Sequence, residues 1–246
     1  MNRFFVDKTN INLKEMVATV DDKGDCKHIV KVLRLKEGDR IEISDKEGSE
    51  YIGEISSTND IVELINLEKV DVSRESNLKI TLFQGIPKSD KMDLIVQKNV
   101  ELGIFEIIPV QMKRSVSKID RKKVKSKLER WEKIAWEAAK QSKRSILPRV
   151  DRILDFKAIL ELVKDYDMFL VAYENEKQLL MKELKENEMK NVAILIGPEG
   201  GIADEEIDLL IESGAKIVSL GKRILRTETA GFTLNTILQY EFGDMG

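Results

Sequence analysis

The chain has little of what several kinds of function require. It carries one cysteine, Cys26, and one histidine, His28, in 246 residues. A single cysteine excludes an internal disulfide and fits a reducing cytosol. One residue of each type cannot build a His/Cys zinc site, so no metal is expected. No apolar run approaches the roughly 20 residues needed to cross a bilayer. The start, "MNRFFVDKTN", has no apolar core of a secretion signal. Low-complexity tracts and internal repeats are absent too. What is present, 42% apolar and 35% charged residues, is the composition of a soluble globular protein. The length suits one large domain or two small ones.

A net charge of −3 argues against a nucleic-acid partner, but the distribution of charge argues for one. Residues 113–149 hold 14 Lys/Arg against 4 Asp/Glu, whereas residues 1–72 hold 11 against 16. A concentrated basic face is what phosphate contacts need; a solvated helix face is the plainer alternative.

Residues 1–72 read as short strands in "RFFV", "MVATV", "DRIEISD", "EYIGEI" and "DIVELINLEKV", with a hairpin turn at "DKEG". The helical candidate there is "KHIVKVLRL", and His28 on it is a structural polar residue rather than a catalyst. This predicts a small β-barrel. From residue 73 to 246 strands alternate with helices, which predicts a parallel sheet covered on both faces. Ser89 is placed to cap the helix in "SDKMDLIVQKNVELG" and Gly103 to end it. The long helix in "RKKVKSKLERWEKIAWEAAKQSKR" puts Val124, Leu128, Trp131, Ala135 and Ala138 on one apolar face, with Trp136 at an interface. "EKQLLMKELKENE" is a further helix, and the last begins near Glu228.

Ligands of open α/β sheets bind beyond the carboxyl ends of the strands. Two glycine-bearing loops fall there, "IGPEGG" and "LGKRILRTETAG". Neither has the G-x-G-x-x-G spacing of a dinucleotide site nor the spacing of a triphosphate loop. They suit a neutral or zwitterionic cofactor held by backbone groups. A tight turn in the first loop, and a Thr227 helix cap in the second, are the structural alternatives.

Together the two loops are more specific. They resemble the cofactor end of the SPOUT (alpha/beta-knot) methyltransferases. "QGIPKSDKMDLIVQKNVELGIFEIIPV", "WEKIAWEAAKQSKR" and "HIVKVLRLKEGD" narrow the resemblance to the ribosomal RNA small subunit methyltransferase E family, over nearly the whole chain. The resemblance implies a PUA-like β-barrel RNA-binding domain over 1–72 and a trefoil-knotted domain over 73–246. It also implies S-adenosyl-L-methionine as cofactor, a homodimer, a cytoplasmic location, and methylation of N3 of one uridine in 16S rRNA of the small ribosomal subunit. Departures are Ser89 where the family tends to have glycine, "KQSKR" for "EQSGR", and Lys27 where a second histidine often stands. These shift RNA contacts and leave the cofactor loops intact.

Methylating an imide nitrogen needs a proton acceptor, or cations that stabilise the developing uracil anion. Arg226 and Glu228 match the family's core motif. Arg226 would serve the uracil oxygens or the cofactor carboxylate, and Glu228 proton acceptance or the orientation of Arg226. An Arg226–Glu228 ion pair is the plainer alternative. Glu199 has three readings: it faces the sulfonium, faces the uracil, or caps the following helix. Ile196, Gly197, Gly200, Gly201, Leu220, Gly221, Ile224, Leu225 and Arg226 match the cofactor loops, with Leu170 as the other wall or as packing. Arg3, Arg34, Lys88, Lys91, Arg114, Lys143 and Arg144 are the RNA-binding candidates. Two alternatives remain: the same fold acting on another RNA such as tRNA, and a non-catalytic RNA-binding assembly factor.

Overall fold

In a computed structural model, residues 1–71, 74–115, 120–174 and 189–246 are described. The helix expected in "EKQLLMKELKENE" and the boundary at 72/73 lie outside them. The chain folds as two compact units. One is Met1–Glu75 with Ala139–Leu147; the other is Ser76–Ala138 with Pro148–Gly246.

The first unit is a six-stranded sheet in the order β1-β4-β5-β6-β3-β2. Its strands are β1 (Arg3–Phe5), β2 (Ile11–Asn12), β3 (Val17–Val20), β4 (Arg40–Ser44), β5 (Glu50–Ser57) and β6 (Val62–Lys69). β1 pairs in parallel with β4, and the remaining pairs are antiparallel. Inward residues alternate along the strands, and Phe4, Val20, Ile41, Ile43, Ile55, Val62 and Leu64 form one core with Ile29. Helix α1 (Lys23–Lys27) runs on into a π-helical turn, His28–Val32, so the helix starts and stops earlier than "KHIVKVLRL" suggests. Asp22 explains the early start, since its carboxylate caps the N–H of Asp25. At the "DKEG" turn Gly48 has φ 113°.

The second unit is a six-stranded sheet, all parallel, in the order β12-β10-β11-β7-β8-β9. Its elements in chain order are β7 (Lys79–Gly85), α2 (Lys91–Glu101), β8 (Glu106–Gln111), α3 (Val124–Gln141), β9 (Leu154–Asp155), α4 (Phe156–Leu162), β10 (Met168–Ala172), β11 (Asn191–Ile196), α5 (Asp204–Glu212), β12 (Lys216–Val218) and α6 (Thr227–Phe242). The last turn of α3 counts with the first unit. Phe83, Ile108, Phe169, Val171, Ala193 and Leu195 pack on one face with Phe156 and Ile159 of α4 and Ile207 and Leu210 of α5. α6 leaves the edge strand β12, returns to the sheet's middle, and packs on α2, β11 and β7. Ser89 does not cap α2. It sits at φ 54°, and Asp90 is the boundary residue, without a side-chain cap bond. On α3, Trp131, Ala135 and Ala138 are buried, as their spacing requires.

Candidate active site

The carboxyl ends of β10, β11 and β12 open into a pocket of about 430 Å³. Its first lip follows β11 and includes Ile196, Gly197, Pro198, Glu199, Gly201 and Ile202. The second follows β12 and runs from Ser219 to Thr227. Ala172, Tyr173 and Glu174, at the end of β10, form a third side.

The lips are fastened to one another. The Thr227 hydroxyl donates to the Gly197 carbonyl at 2.6 Å and accepts from Gln84 Nε2 at 2.9 Å. Gln84 also donates to the Gly85 carbonyl at 3.0 Å. Thr227 is therefore a cross-link inside the first turn of α6 rather than its cap, and Arg226 is the boundary residue. Close approach explains two of the glycines. A Cβ on Gly197 would lie 2.8 Å from Ile202 Cγ1, and one on Gly200 would lie 2.9 Å from the Arg114 carbonyl oxygen. Gly200 thus shapes the lip from behind and does not line the pocket.

Glu199 does not cap α5. Glu206 does, accepting from the Ala203 N–H at 3.1 Å and from the Lys113 N–H at 2.9 Å. Both Glu199 oxygens accept from the Lys88 N–H at 3.1 Å, and Oε1 lies 3.1 Å from Lys91 Nζ. Partial burial works to raise the Glu199 carboxyl. Hydrogen bonds from its own backbone N–H, from Lys91 and from the Lys88 N–H outweigh burial, so its pKa lies below the ordinary glutamate value. The Lys91 ammonium is shifted up, first by its hydrogen bond to Glu199 and then, against burial, by Glu228. Glu228 Oε2 is 3.3 Å from Lys91 Nζ, so its ion-pair partner is Lys91 and not Arg226. Arg226 lines the pocket with an exposed side chain.

A family model described as "RNA methyltransferase domain" matches residues 74–239, and one described as "RNA methyltransferase PUA domain" matches residues 20–65. The Ribosomal RNA small subunit methyltransferase E of Bacillus subtilis is 36% identical over 98% of this chain and 97% of its own. The chain belongs to the ribosomal RNA small subunit methyltransferase E family. The family enzyme of Neisseria gonorrhoeae, solved bound to S-adenosyl methionine, superposes with a TM-score of 0.88 at 29% identity over 100% of both chains. A structure from Legionella pneumophila, solved with SAM bound, gives 0.85 at 29% identity over 99% of this chain and 98% of the other.

Of the expected cofactor positions, Ile196, Gly197, Gly201, Leu220, Gly221, Ile224, Leu225 and Arg226 meet in the pocket. Leu170 is fully buried within β10, and the chain reaches the pocket only at Ala172. The RNA candidates separate by burial. Arg34, Lys88 and Lys143 are exposed, and Lys91 belongs to the pocket. Arg114 is exposed, but it braces the first lip by donating to the Ile202 carbonyl at 3.1 Å. Arg3 and Arg144 cannot serve phosphates as they stand. Arg3 is buried, 2.6 Å from both Glu42 and Glu50, and also donates to the Lys143 and Arg144 carbonyls. Arg144 is buried against Glu75 at 2.6 Å. Tyr173, Glu174 and Ser219 are pocket residues that the sequence does not single out, and Thr227 is singled out there only as a helix cap. Their signal was position: each follows a strand's carboxyl end or opens the next helix.

Proposed function

We propose that this chain transfers a methyl group from S-adenosyl-L-methionine to N3 of a specific uridine in 16S rRNA of the small ribosomal subunit, acting as a homodimer in the cytoplasm. The observation that carries this reading is the pocket between two glycine lips tied together through Thr227 and Gly197. Its volume lies in the range of small-molecule sites. The residues present fit the cofactor: Ile196, Leu220, Leu225 and Ala230 offer apolar walls, and Glu174 and Glu199 offer carboxylates to its cationic groups. The close approach of Gly197 to Ile202 keeps the turn of this lip tight. When bound, the cofactor supplies a methyl group on a sulfonium. Threading of this domain as a trefoil knot rests on the family likeness.

The protein's own part is to hold and deprotonate the base. Glu228 takes the N3 proton, while Arg226 stabilises the charge that appears on the uracil oxygens. Arg34, Lys88 and Lys143 meet RNA phosphates, together with the exposed lysines of α3 such as Lys125 and Lys133. The test is to incubate the protein with labelled S-adenosylmethionine and both small subunits that lack the mark and unmodified tRNA, then map the methylated base. Label on that uridine is expected. Label confined to tRNA would keep the fold and change the substrate, and no label in any RNA would favour an assembly factor. In Glu228→Gln, transfer falls by roughly 100-fold or more; undiminished transfer would remove Glu228 from the proton-acceptor role.

A further inference from the structure

Lys91 stands where three parts of the site meet. Its ammonium lies 3.1 Å from Glu199 Oε1 on the first lip and 3.3 Å from Glu228 Oε2 in the first turn of α6. The carboxylate side chains are only 24% and 13% exposed. Two carboxylates within reach of one nitrogen repel each other. In partly dry surroundings a cation between them offsets that repulsion. Among the described residues Lys91 is the only cation within 4 Å of either group.

We infer that Lys91 is a positioning residue of this site: it holds Glu199 and Glu228 side by side and ionised at the pocket wall, rather than contacting an RNA phosphate. What the ionised pair is for rests on the methyl-transfer reading. The uracil N3–H bond breaks, the proton goes to a Glu228 oxygen, and the electron pair stays on nitrogen. That transfer needs a Glu228 oxygen held at the pocket wall, and the Lys91 contact holds it there. The upward shift of Lys91 keeps it cationic whenever the carboxylates are ionised. The surrounding charges do not replace it. Glu174, Lys222, Arg223 and Arg226 line the same pocket, each beyond ion-pair distance of the two carboxylates. On its own helix Asp90 and Asp93 are paired with Arg130. From the preceding loop, Lys88 approaches Glu199 through its backbone N–H.

The test titrates the carboxyls directly. Protein labelled with carbon-13 at the glutamate carboxyls is followed by NMR from pH 3 to 8, about a full range for glutamate, without cofactor or RNA. Glu199→Gln and Glu228→Gln identify the two signals. In Lys91→Met the midpoint of one of these two carboxyls rises by at least about one pH unit, and Lys91→Arg returns it near the starting value. In turnover, the acid limb of kcat moves up by the same amount in Lys91→Met, while KM for RNA and its salt dependence stay within about twofold. Unmoved carboxyl midpoints would overturn the inference. A raised KM and flatter salt slope with a fixed acid limb would do so too, and would return Lys91 to a phosphate contact. The titration requires no turnover, so a wild-type protein that methylates nothing would sink the functional reading without touching this result.

Discussion

Thr227 shows how much one hydroxyl organises. It is both donor to the Gly197 carbonyl and acceptor from Gln84, and it is buried. Thr227→Val keeps the shape and strands two polar partners, at a cost of about 1–3 kcal/mol. Calorimetry should then show S-adenosylmethionine binding weakened tenfold or more, with Thr227→Ser close to the parent. Glu106 tests burial instead. Burial pushes its carboxyl up, against Arg152 and Arg149, with Asp151 reinforcing the rise. Between the ordinary glutamate pKa and the raised one, the folded chain holds a proton that the unfolded chain releases. Its contribution to stability is therefore full below the ordinary value and is lost as pH climbs through the raised one. Urea unfolding over a pH series should show the difference between parent and Glu106→Gln falling across that window. Such residues are the hardest to read from sequence. A lysine's charge is legible at Lys91, but its partners Glu199 and Glu228 are brought to it only by the fold. Thr227 opens a helix as a cap would, and its hydroxyl goes to another loop because that loop's carbonyl is in reach.

At the scale of elements, α5 depends on Glu206. Its carboxylate joins the helix start to the second residue after β8, through the Ala203 and Lys113 N–H groups. Glu206→Ala should cost about 1–3 kcal/mol in urea unfolding and loosen the first lip, which leads directly into that helix. The alternation of strands and helices was legible because apolar spacing switches between periods of 2 and 3.6. β2 and β9 were not, since two residues cannot display a period. Ser89 misled because the residue type suits a cap while the backbone there is left-handed. The pocket lips were legible as glycines after strands. Their third side was placed at Leu170, although a strand reaches a ligand only at its carboxyl end, here Ala172.

For the molecule as a whole, charge read along the chain gives composition but not exposure. Arg3 and Arg144 counted as basic surface, yet each neutralises buried carboxylates. The clue lay in Glu42 and Glu50, acids placed within strands whose neighbours are core residues; a buried carboxylate demands a buried cation. In this cluster burial raises Glu50 despite Arg3 and Arg74, while Arg3 and Arg74 hold Glu42 down against its own burial. Arg3→Met should destabilise the first unit by about 3–5 kcal/mol. Amide exchange should quicken in β4 and β5 and stay unchanged in β7 and β11. The same arginine has a consequence for synthesis. Its carbonyl acceptors, at Lys143 and Arg144, lie far down the chain, and Arg144 in turn neutralises Glu75. The first unit to leave the ribosome is therefore not the first to be finished. It waits, with Arg3 short of two carbonyl acceptors and the Glu75–Arg144 pair still to form, until residue 147 has emerged and the segment that completes it can return.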